Sequence, residues 1–155
     1  MKFIEKNKVL LMKNVIKYEK TLYSSEIDEV ICDLVKFAGE KGIKTNRVLT
    51  ITKGLSFETG KQRLVMDFYL ELDQPTKGNN KYLFLDNYCL EDCVCSKFKG
   101  PSQNASMATR EINGFIKKNG LNPVSPIHQV MFFDKKAKKK QNKNEVNIEV
   151  YVKVE

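Results

Sequence analysis

Val146-Asn147-Ile148-Glu149-Val150-Tyr151-Val152-Lys153-Val154-Glu155 decides how the rest of the chain is read. Val146, Ile148, Val150, Val152 and Val154 alternate with Glu149, Tyr151 and Lys153, the period-two signature of a strand with one buried face. Asp67-Phe68-Tyr69-Leu70-Glu71-Leu72 carries the same order of acid, apolar, Tyr, apolar, charge, apolar. Two copies predict an internal duplication.

A duplication must carry its helix and turns along with its last strand. Phe37-Ala38-Gly39-Glu40-Lys41-Gly42-Ile43 matches Phe115-Ile116-Lys117-Lys118-Asn119-Gly120-Leu121, and Lys17-Tyr18 precedes the first helix as Lys97-Phe98 precedes the second. The offsets stay near about 80 residues. The expected halves are about 12–75 and 82–155, with residues 1–11 a leader or an extra strand.

Each half reads as strand, helix, strand, strand. In the first, Val15–Tyr23 is a strand, Ser24 or Ser25 offers an N-cap, and Ile27, Val30, Ile31, Leu34, Phe37 and Ala38 form a helical stripe closed by Gly42. Strands at 47–52 and 62–73 follow, then the turn-rich segment from Gln74 to Lys81. In the second, a strand centred on Glu91–Phe98 stops at Gly100-Pro101. Ser102 or Asn104 caps a helix with Met107, Ala108, Ile112, Phe115 and Ile116 inward, and strands at 126–133 and 146–154 close the chain. The fold class is α+β: duplicated β-α-β-β units form one antiparallel sheet, with two helices on one face and a groove on the other. The repeat strands then aim Asp67, Tyr69, Glu71, Glu149, Tyr151 and Lys153 at that groove, as candidate ligand-binding residues.

Composition bounds the function. The chain has 155 residues, 41% of them hydrophobic, and a net charge of +8. Six lysines between Lys135 and Lys143 supply most of that charge. A lysine run between two strands reads as a solvated hairpin tip, so nucleic acid is not expected as a partner. Val9–Met12 is too short for a signal-peptide core or a membrane span, which points to the cytoplasm. Cys32 falls on the apolar side of its helix, and Cys93 and Cys95 share a strand face as small core residues. Cys89-x3-Cys93-x-Cys95 with one histidine, His128, fits no zinc template, so neither a metal site nor a cofactor is predicted. No Ser-His-Asp or Cys-His arrangement and no phosphate loop is evident, so no catalytic residue is assigned.

The order of elements, Lys97-Phe98-Lys99-Gly100-Pro101 leading into a helix, the Phe115-to-Leu121 helix end and Ile148-Glu149-Val150-Tyr151-Val152 together resemble the GyrI-like small-molecule-binding family. That family also supplies effector domains of AraC-type and MerR-type regulators. The resemblance implies a single domain over 1–155, with a central groove for a lipophilic or charged small molecule and an acid of the terminal strand in contact with it. Glu149 matches that acid and Tyr151 the aromatic after it. Lys153 stands where the family usually has proline, Ser102 where an aromatic is common, and there is no tryptophan. No helix-turn-helix precedes the first repeat, which implies a stand-alone relative. Three functions follow: a non-enzymatic ligand-binding module, an accessory protein acting on a protein partner through a degenerate groove, and a groove hydrolase with Glu149 as general base.

Overall fold

In a computed structural model, residues 3–57, 60–133 and 145–155 are described. They form an α+β fold of antiparallel strands and two α-helices: β1 Phe3–Leu22, α1 Ile27–Glu40, β2 Thr45–Ser56, β3 Arg63–Leu72, β4 Leu83–Pro101, α2 Ser106–Lys118, β5 His128–Phe132 and β6 Glu145–Lys153. The expected tip at Lys135–Lys143 lies outside the described residues. No described helix is long and apolar enough to cross a membrane.

The chain divides into two compact units, Leu11–Tyr88 and a second that joins residues up to Leu10 with Cys89–Glu155. In the first unit β3 lies between β1 and β2, so Tyr69 is opposite Lys17 on one side and Leu49 on the other. In the second, β6 lies between β4 and β5, and Tyr151 is opposite both Cys95 and His128. Each unit runs strand, 3-10 turn, helix, strand, strand.

The first unit closes around α1. Val30, Ile31, Leu34 and Ala38 are its buried stripe, and the helix packs on β2 and β3. Phe37, Tyr82 and Tyr18 make an edge-on aromatic series, with ring centroids 4.8 Å and 5.4 Å apart, that continues to Phe68. Edge-to-face contact adds to the area these rings bury. Gly42, at φ +70°, lets the Ile43 amide turn back onto the Ala38 carbonyl at 3.0 Å, the helix end expected from sequence. Gly120, at φ +63°, does the same for α2, with Leu121 bonded to Ile116.

In the second unit Ala108, Ile112 and Ile116 of α2 bury against Val94, Ile148, Val150 and Val152. Ile148, Val150 and Val152 are apolar positions of the alternating stretch, so the side chains at 149, 151 and 153 point to the opposite face.

Three expectations are corrected. Strand β1 does not start at Val15; it runs continuously from Phe3 to Leu22. Left-handed Asn7 and Asn14 interrupt it without ending it. The serines do not cap. Ser24 and Ser102 instead open short 3-10 turns, and the Tyr23 amide is met by Glu26 Oε1 at 2.8 Å, so a carboxylate satisfies the helix entrance from inside. Cys32 is exposed, whereas Cys93 and Cys95 are buried as expected.

Ile112 is fully buried, whereas Met107, expected on the same inward stripe, is 42% exposed, a fourth correction, because it sits one residue off the buried line of Ala108, Ile112 and Ile116. Ile112→Ala is expected to cost about 2–5 kcal/mol in urea denaturation through the cavity it leaves. Met107→Ala is expected to stay within about 0.5 kcal/mol. Equal costs would mean that α2 is not seated as described.

Candidate functional site

The helix-averted face of the second unit is built in rows by strand register. Tyr151 lies between Cys95 and His128, Glu149 between Lys97 and Val130, and Lys153 opposite Cys93. Because residues two apart share a face, Tyr151 reaches Glu149 along its own strand: its hydroxyl donates to Oε1 at 2.6 Å. The other oxygen, Oε2, has Lys97 Nζ at 3.8 Å, an ion pair beyond hydrogen-bond length. Lys97 is drawn away by Glu5, 3.3 Å from its ammonium, and Glu5 in turn holds Lys8 at 3.3 Å. The result is a carboxylate with one oxygen held by a short hydrogen bond and the other in a longer ion pair.

The protonation states follow from burial. Tyr151 titrates far above the ordinary tyrosine range, because burial disfavours the phenolate and Glu149 stabilises the bonded hydroxyl. Burial pushes the Cys95 thiol up to about 11, and the Glu149 charge adds to the effect. Cys93 is also raised to about 11 by burial, against the opposing charge of Lys153. The Glu5 contact, followed by the Glu149 charge, raises Lys97 and keeps it cationic. At neutral pH this face presents a tyrosine hydroxyl, two thiols, a lysine cation and no cysteine thiolate.

His128 is 2% exposed and its Nδ1 donates to the Pro126 carbonyl at 2.9 Å. Burial lowers its pKa, only partly offset by that hydrogen bond.

In the first unit Asp67, Tyr69 and Glu71 share one face of β3, as the alternation predicts, but that face is covered. Asp67 and Tyr69 are each 5% exposed. The Tyr69 ring meets Tyr88, with centroids 4.5 Å apart, and the Lys17 ammonium at 5.6 Å. Burial raises its pKa. Lys53 closes on Asp67 Oδ1 at 3.0 Å, an ion pair without the alignment of a good hydrogen bond. Glu71 accepts from Arg47 Nε at 2.7 Å and Nη2 at 3.2 Å, and from the Lys13 amide at 3.1 Å. The same guanidinium reaches the Leu11 carbonyl. Glu71 is thus tied into β1 and β2 by a bidentate, charge-assisted pair.

The structure therefore joins Glu149 directly to Tyr151, sets Lys153 at the end of their strand beside an open cleft, and holds Asp67, Tyr69 and Glu71 in the other unit with basic partners. Sequence reasoning passed over Lys97, Glu5, Cys95 and His128 around Glu149, and Arg47, Lys17, Lys53 and Tyr88 around the β3 residues. Lys97 lay inside a quoted motif, but its role depends on the register of β4 with β6. Arg47 opened an expected strand, yet nothing local marks it as the partner of Glu71. Among the described residues no three His, Cys, Asp or Glu side chains gather as a metal-ligand set.

No protein-family model and no curated protein matches the chain. Solved structures do. The EcmrR C-terminal domain superposes with a TM-score of 0.69 at 14% identity, covering 100% of this chain and 97% of that one. The cryo-EM structure of an EcmrR–DNA complex gives 0.70 at 13% identity; there this chain is covered fully but spans only 57% of its counterpart. A hydrolase from Listeria innocua gives 0.56 at 13% identity, covering 98% and 91%. At these identities the likeness is one of fold.

Two expectations follow from the site. Stability should fall as pH drops below 6.5, the ordinary histidine value, because a buried His128 with a lowered pKa resists the proton that the unfolded chain accepts. Its contribution is complete above that value and lost on descent; His128→Gln should flatten the slope between about pH 6.5 and 5, where carboxylates titrate little, in denaturation curves. Separately, Arg47→Met should cost about 3 kcal/mol by stranding Glu71, and Arg47→Met with Glu71→Leu should recover part of it. Additive losses in that cycle would show that the pair is not coupled.

Proposed function

We infer that this chain is a non-enzymatic, effector-type binding protein for a small lipophilic or charged molecule, which meets Glu149 and Tyr151. The observation that carries the reading is the Glu149 carboxylate: Tyr151 fixes Oε1 at 2.6 Å, while Oε2 has just a distant lysine that Glu5 draws off. An acid with one oxygen already oriented loses little freedom when it takes a donor from a ligand, and the buried Tyr151 ring supplies apolar surface beside it. The acids of β3 have close basic partners, so we assign them to holding the first unit together and give ligand contact to β6. The sequence resemblance to GyrI-like effector domains and the fold shared with the EcmrR C-terminal domain support the same class.

Covalent catalysis fits this site less well than binding. The Cys95 thiol, at about 11, and the Tyr151 hydroxyl, higher still, stay protonated at neutral pH, so neither offers a ready nucleophile. Protein-partner and hydrolase functions remain the alternatives against which the binding experiment is read.

Thermal unfolding with lipophilic cations, zwitterions and anions tests the reading on the wild type, Glu149→Gln and Lys97→Met. A ligand at 100 times its Kd should stabilise the wild type by about 2.7 kcal/mol, and Glu149→Gln should lose the shift. Lys97→Met should strengthen binding of cations and weaken that of anions, since it removes the charge beside Oε2. No stabilisation from any class, or an equal response in Glu149→Gln, would overturn this site and move the assignment to a protein partner.

A further inference from the structure

The second unit carries a cleft that the Glu149 site does not use. It encloses about 560 Å³ at the end of β6, between the strand's last residues and the segment that follows α2. Three kinds of group line it: an apolar floor from Leu121, Val124 and Val154, the acids Asp92 and Glu155, and the donors Asn7 and Lys153. We propose that this cleft is a binding site for a small zwitterion with an apolar tail, of the class of free α-amino acids.

The walls are hydrogen-bonded to one another. Val124 donates to the Lys153 carbonyl at 2.8 Å, the Lys153 amide to Ser125 Oγ at 2.9 Å, and the Glu155 amide to the Asn122 carbonyl at 2.9 Å. On the other side the Val154 amide is bonded to the Asp92 carbonyl at 3.1 Å. Two of the polar lining residues have unusual backbone. Asn7, at φ +55°, and Asp92, at φ +57°, are two of the three non-glycine residues with left-handed backbone in the described chain, and both line this cleft. Such residues re-aim side chains out of the regular pleat, and they gather at binding sites more than elsewhere.

The charges select the ligand. Among the described residues no ion pair joins Lys153, Asp92 or Glu155 to a neighbour, and the lining brings one cation and two anions together. Cys93, opposite Lys153, is a protonated thiol and adds no charge beside the ammonium. A simple anion would face two carboxylates and a simple cation the lysine; a zwitterion satisfies both. Its carboxylate goes to Lys153 and the Asn7 amide, its ammonium to Asp92 and Glu155, and its hydrocarbon to Leu121 and Val124, the latter 45% exposed. The volume lies within the range of small-molecule sites and exceeds what one amino acid needs, so water would share the space.

The test is an amide NMR titration of the full chain with L-leucine, L-phenylalanine and L-methionine, with isoamylamine and 4-methylpentanoate as controls that lack one charge each. Saturable shifts are expected at Asn7, Asp92, Val124 and Val154, with affinity for both controls lower by at least about tenfold. Lys153→Met and Asp92→Asn should each weaken binding by at least about tenfold; Asn tolerates left-handed backbone, and each variant's own spectrum confirms its fold. No saturable shift with any of the amino acids, shifts centred on Glu149 and Tyr151 instead, or full affinity in Lys153→Met would overturn the proposal. It stands or falls independently of the Glu149 reading, because the residues that report it differ.

Discussion

Strand β6 is hydrogen-bonded along both edges, and that double commitment governs everything around the candidate site. A strand paired on each side cannot shift by one residue without exchanging its faces. A slip would drive Glu149 and Tyr151 into the space where Ile148, Val150 and Val152 meet α2, stranding a carboxylate in an apolar core. The cost of burying that charge unpaired fixes the register, and the register in turn sets Tyr151 between Cys95 and His128 and Glu149 beside Lys97. The packing of α2 is thereby the reason the carboxylate is where it is.

The two units use the same geometry for different ends. In the first, Glu71 spends both oxygens on Arg47 and Lys13, and Asp67 has Lys53 against it. Those acids bind strands to one another. In the second, Glu149 has a tyrosine on one oxygen and a shared lysine at longer range on the other. Charge pairing separates Glu71 from Glu149, and burial does not: 12% of the Glu71 side chain and 15% of the Glu149 side chain are accessible.

How much of this was legible in the sequence depended on how local the controlling interaction is. Helical stripes such as Val30, Ile31, Leu34 and Ala38, and helix ends at Gly42 and Gly120, are set by residues within a few positions, and they were read correctly. The alternation in β3 and β6 assigned faces correctly too. What it did not give was their cover: Asp67 and Tyr69 looked like residues of an open face, and only the pairing with β1 and the approach of Tyr88 bury them. The entrance to α1 misled for a different reason. Ser24 has the composition of a cap, but Glu26 reaches back to the Tyr23 amide and performs that task. Strand β1 is longer than the alternation from Val15 to Tyr23 implies; it passes through left-handed Asn7 and Asn14 without ending. At the candidate site, the shared face of Glu149 and Tyr151 followed from the alternation, while the placement of Lys97, Arg47 and His128 needed a register that connects residues dozens of positions apart.

The cysteines carry a last consequence. Cys93 and Cys95 are sealed and protonated, and Cys32 and Cys89 are exposed. A thiol reagent added to the native protein therefore meets two classes of target, one reacting at once and one waiting for β4 to come away from its neighbours. The slow class is a clock wired into the strand that carries Lys97. Its rate reads the opening of β4 around Cys93 and Cys95, without a dye, a tag or a substitution.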